Sequence, residues 1–141
     1  MIRTMTTDCV YGRHQEIQVK RILPEIYNKK FKDYSHDRYA TFDFMSEDEV
    51  MILELKSRRC KSYTYPTTIV GLNKIEKAKE LVKQNKIVKF LFNFQNGLYE
   101  WSDLENYSIA KGGRTDLCGT KGWKDYCHIN IDNLNLVKSY A

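Results

Sequence analysis

Residues Phe42 to Arg59, FDFMSEDEVMILELKSRR, constrain the fold more than any other stretch of the chain. Val50, Met51, Ile52 and Leu53 are apolar at consecutive positions, which predicts a strand covered on both faces rather than one with a wet side. Glu54 and Lys56 continue that strand and therefore start inside the protein. Burying an isolated charge costs on the order of several kcal/mol, so a carboxylate and an ammonium there need a partner, a metal ion or a functional cleft.

The rest of the chain supplies the layers that would cover such a strand. Gly12 to Phe31 carries apolar residues at Val19, Ile22, Leu23, Ile26 and Phe31, a helical period that predicts a helix broken or restarted near Pro24. RYATFDFM, residues 38–45, reads as a strand, SEDE as a turn and VMILELKS as the return strand, together a hairpin. GLNKIEKAKELVKQN sets Leu72, Ile75, Ala78, Leu81 and Val82 on one helical stripe. KIVKFLFNFQNGLYEW reads as a core strand, an Asn96-Gly97 turn and a partner strand. From Lys111 the glycine-rich KGGRTDLCGTKGWKDY reads as a loop, followed by YCHINI as a last short strand. At 141 residues, with no repeat or long linker, a single domain over residues 1–141 is expected. The order of elements predicts an α/β or α+β sandwich, a mixed sheet with helices packed on it.

Strand periodicity projects Glu54 and Lys56 from one face. Folding the hairpin about Glu47 and Asp48 sets Asp43 opposite Glu54, or one pair diagonal to it, with the carboxylates about 5–8 Å apart. Two like charges that close on a half-buried surface repel, and the simplest stabilising partner is a divalent cation bound through carboxylate oxygens. Lys56 would then sit beside any phosphate or water on that cation. The local charge points the same way. Between Lys56 and Lys89 ten basic residues stand against two acids, a balance of +8 within a chain of net charge +5, as expected of a polyanion-binding face or, in the plainer reading, a solvated lysine-rich helix.

FDF followed by ILELK resembles the core motif of the PD-(D/E)XK nucleases, the restriction-endonuclease-like superfamily, although Phe42 stands where that family usually has a proline before Asp43. The flanking helices and later strands follow the same order over roughly residues 12–94. The resemblance implies a restriction-endonuclease-like α/β sandwich, with a mixed central sheet flanked by helices, and metal-assisted hydrolysis of phosphodiester bonds in nucleic acid, DNA before RNA. By that resemblance Asp43, Glu54 and the backbone carbonyl of Leu55 hold Mg²⁺ or Mn²⁺, Glu16 is an outer ligand, and Lys56 orients the attacking water. The products would carry 5′-phosphate and 3′-hydroxyl ends. Arg58, Arg59, Lys74 and Arg114 are the expected phosphate contacts.

Alternatives remain open on sequence alone. Asp43, Glu54 and Lys56 could form a structural cross-strand ion pair, and Glu16 could simply suit the first turn of a helix. Cys118, Cys127 and His128 could ligate zinc, although no knuckle spacing supports it. The scaffold could be a non-catalytic nucleic-acid or protein-binding module, but none of the three motif residues is degraded. Four scattered cysteines without a CxxC pair, no apolar run long enough to span a bilayer and no signal-peptide layout predict an intracellular protein, cytoplasmic or nuclear, with no membrane partner. A homodimer is compatible with a chain of this size, since cutting both strands at once needs two sites.

Overall fold

The computed structural model describes residues 7–37, 39–112 and 124–141, with the backbone alone for residues 7–10. The first helix, α1, spans Thr7–Tyr27 and contains Pro24. The expected break is absent. Pro24 falls in the last turn, where it removes a single ladder bond, and the buried Val19 and Leu23 hold that face to the sheet. The helix ends instead at Asn28, which adopts a left-handed φ of 52°.

Three short strands follow as an antiparallel meander: β1 (Phe31–Asp33), β2 (Phe44–Ser46) and β3 (Met51–Ser57). After β4 (Thr67–Gly71) and the second helix, α2 (Leu72–Lys83), the chain returns as β5 (Ile87–Phe94), parallel to β3. β6 (Gly97–Trp101), β7 (Tyr107–Gly112), β8 (Lys124–Asn130) and β9 (Asn135–Ser139) complete the elements. The central sheet has the order β1-β2-β3-β5-β6-β9, and a second sheet has the order β4-β8-β7. The expected α/β restriction-endonuclease-like architecture is thus present, with an additional three-stranded sheet that the sequence pattern did not announce.

β3 is covered on both faces, and Met51 to Leu55 are all buried. On one side Leu53 and Leu55 pack with Phe44, Leu91 and Leu98 against Val19 and Leu23 of α1. On the other, Ile52, Phe90, Phe92 and Trp101 pack against Ile75 and Ala78 of α2 and against Val70, Cys127 and Ile129 of the second sheet. The apolar run therefore reflects a strand between two layers, as parallel pairing with a crossover helix requires.

Three local expectations are corrected. The strand expected over 38–45 gives way to the short β2, because Asp33 and Asp37 side chains accept the backbone N–H groups of Ser35 and Tyr39 and fold the approach into turns. The hairpin after β5 turns on Gln95-Asn96 rather than Asn96-Gly97. Gly97 is already paired, and a Cβ on it would lie 2.8 Å from the Lys138 carbonyl oxygen of β9. Close approach, not turn geometry, requires glycine there. Lys111 and Gly112, read as the start of a loop, end β7, Lys124 to Tyr126 open β8, and the exposed β9 follows the strand expected to be last. Among the described residues no helix is long and apolar enough to cross a membrane.

Candidate active site

The hairpin register pairs Phe44 with Leu53 and Met45 with Ile52. Just beyond that ladder the Asp43 N–H donates to the Leu53 carbonyl at 3.1 Å, so Asp43 lies alongside Leu53 to Leu55 of β3. The Asp43 carboxylate accepts the backbone N–H of Leu55 at 2.8 Å, which fixes it across the end of β3. Glu54 is only 5% exposed. Its Oε1 lies 3.3 Å from the Lys56 ammonium, and its Oε2 lies 3.8 Å from the Lys74 ammonium yet accepts no hydrogen bond. Lys74 reaches the cleft from the first turn of α2. It donates to the Thr41 carbonyl and sits 5.4 Å from the centre of the Phe42 ring.

Burial shapes the electrostatics. It pushes the Glu54 carboxyl above the ordinary glutamate value, and the neighbouring Asp43 adds to the rise, while Lys56 and Lys74 oppose it. Asp43 is raised by burial too, against the pull of the Leu55 N–H and the two lysines. Glu16 of α1 is raised by burial and then by the charge of Asp43, with Asp33 adding and His36 opposing. α1 therefore brings Glu16 within electrostatic reach of the pair. The ammoniums of Lys56 and Lys74 thus gather at the buried Glu54, with Asp43 beside it and Glu16 coupled to Asp43 through charge.

A family model described as "Phage putative PDDEXK endonuclease" matches residues 5–137. The chain belongs to that family. The match runs from α1 into β9, so it includes both layers and the whole hairpin. No curated protein matches the chain. As a PDDEXK endonuclease the protein is a nuclease, a hydrolase whose substrate is nucleic acid, in a family that generally uses divalent metals.

The residues suit such an ion. The donors nearest one another are carboxylate oxygens, without thiol or imidazole between them, as a hard cation prefers. The buried Glu54 Oε2, with no hydrogen-bond partner, is the atom in most need of one. Among the described residues no three acidic, histidine or cysteine side chains converge as a closed metal cage. An ion here would rest on two carboxylates with water and backbone completing its shell, an arrangement Mg²⁺ commonly keeps.

The basic residues of this PDDEXK endonuclease divide by position. Arg58 directs its guanidinium between the sheets, 2.9 Å from the Ile69 carbonyl, and burial lowers its pKa. Arg59 stacks over the Tyr11 ring at 4.7 Å. Arg114, Cys118 and Trp123 lie outside the described residues. Cys127 is packed in the core, and His128, the next residue of β8, projects to the opposite face, so those two do not converge. Sequence reasoning missed the entry of Lys74 into the carboxylate cluster and the nearby Asp33 and His36. Which face of α2 meets the hairpin depends on tertiary docking, and no local pattern carries it.

Proposed function

We propose that the protein is a Mg²⁺- or Mn²⁺-dependent endonuclease that hydrolyses phosphodiester bonds of DNA. The observation that carries this reading is Glu54, a buried carboxylate with one oxygen unpartnered, within electrostatic reach of Asp43 and beside Lys56. Asp43, Glu54 and the backbone carbonyl of Leu55 would hold the cation, with Glu16 as an outer ligand through water. The bound ion supplies a water of lowered pKa and positive charge next to the phosphate. Lys56 holds that water by hydrogen bonding and neutralises charge as it builds on the phosphoryl oxygens. Asp43 keeps its orientation through the Leu55 N–H. Arg59, Lys74 and Arg114 would contact phosphates, and Arg58 would add positive potential at the end of β3 while its guanidinium braces β4. A non-catalytic binding module would not need Asp43, Glu54 and Lys56 together, and the chain retains all three.

The test is incubation with labelled duplex, single-stranded and branched DNA and with RNA, in Mg²⁺, Mn²⁺ or EDTA. Cleavage of a DNA substrate that needs either ion, stops in EDTA and is lost in Lys56→Ala while binding persists is the expected result. Cleavage that survives EDTA, or no cleavage of any substrate with either ion, would overturn the reading.

A further inference from the structure

Lys74 has an unusual position for a lysine. It occupies the first turn of α2, a turn with no acidic residue, where the helix dipole disfavours a cation. What offsets that cost lies across the cleft. Its ammonium is 3.8 Å from Glu54 Oε2, donates to the Thr41 carbonyl two residues before Asp43, and faces the Phe42 ring. The gap of 3.8 Å exceeds the roughly 2.7–2.9 Å of a charge-assisted hydrogen bond, so the oxygen is attended by charge without being bonded. Lys56 stands closer to the other oxygen, Glu54 Oε1, at 3.3 Å. The two lysines thus offset part of the charge of the Asp43–Glu54 pair, while burial still raises both carboxyls and the charge of Asp43 adds to the rise at Glu54.

We infer that Lys74 is the built-in counter-cation of the carboxylate pair: its ammonium guards Glu54 Oε2, and a divalent ion must displace it to bind there. The inference rests on the proposed metal-dependent reading and gives that site a regulator, a lysine that sets how much free ion is needed to load it. An ammonium and a dication cannot share one carboxylate oxygen at close range without strong repulsion. The unbranched lysine stem allows the head to swing out about the Thr41 end of its reach, and its side chain is already 29% exposed. Lys77, one turn further along α2, pairs with Glu80 at 3.7 Å on the open surface and gives a matched control for the loss of one positive charge.

Calorimetric titration of Mn²⁺ into the protein without nucleic acid tests this directly. Lys74→Met, which keeps the stem against Phe42, should bind Mn²⁺ at least about tenfold more tightly than wild type. Lys74→Arg should stay within about threefold of wild type, and Lys77→Met should gain less than about threefold, because its charge is screened by solvent. If Lys74→Met does not melt cooperatively, Lys74→Gln, which retains a donor for the Thr41 carbonyl, is titrated in its place with the same expectation. Wild type that binds Mn²⁺ with no gain in Lys74→Met, or a gain no larger than that of Lys77→Met, would overturn the inference and leave the metal reading standing. Absence of binding in wild type and in every Lys74 variant would overturn both.

Discussion

Glu54 sets the chemistry at the scale of single residues. A carboxyl whose folded pKa is raised binds its proton more tightly in the native state than in the unfolded chain, so it costs stability as pH rises above its unfolded value. Glu54, Asp43 and Glu16 are all shifted in that direction, from ordinary values of 4.5, 3.8 and 4.5. Asp33 and Asp48 are shifted down, and their stabilisation is present above 3.8 and lost only as pH falls below it. In EDTA, the melting temperature should therefore fall as pH rises through and above the ordinary carboxyl values of 3.8 and 4.5, and Glu54→Gln should flatten that fall. A melting temperature that rises over that range in wild type would refute the assignment. Asp43, Glu54 and Lys56 were legible in the sequence because a strand period of two and a short hairpin fix their relations locally. Lys74 was not, since it meets them only through the packing of α2.

At the scale of elements, the long apolar or strongly periodic segments were read correctly: β3, β5, β6 and α2 all lie where their patterns place them. β1, β4, β7 and β9 escaped because they are short or exposed, and neighbouring strands rather than their own residues hold them in register. A glycine in β6 and one in α1 make contrasting predictions. Gly97→Ala forces a methyl group to within 2.8 Å of the Lys138 carbonyl and 3.0 Å of Leu136, so it should loosen β9 and cost about 1–3 kcal/mol in urea unfolding. Gly12→Ala meets nothing within 4 Å inside α1 and should add about 0.5–1 kcal/mol. Equal effects from the two substitutions would contradict the packing of β6 against β9.

Over the whole molecule, the basic segment from Lys56 to Lys89 does not form one face. Lys89 is held by Glu100 at 3.1 Å beside Tyr27 of α1, Lys86 by the Glu49 carbonyl, and Lys79 by the Tyr107 hydroxyl. Lys56 and Lys74 alone of that run pair with Glu54. The charge count was correct as composition, and folding distributes it over several surfaces. Among the described residues the Asp43–Glu54 pair sets two raised carboxyls side by side, an electrostatic cost the fold leaves unresolved. Were that pair architectural, removing one partner would strand a buried charge at a cost of about 3–5 kcal/mol. As a cation seat it should behave oppositely, since either substitution removes one of two repelling charges. Thermal melts of wild type, Asp43→Asn and Glu54→Gln, each with Mg²⁺ and with EDTA, separate the two cases. The account predicts that Mg²⁺ raises the wild-type melting temperature and leaves both variants unmoved, with neither variant below wild type in EDTA. Variants that melt far lower, alongside a wild type that ignores Mg²⁺, would contradict it.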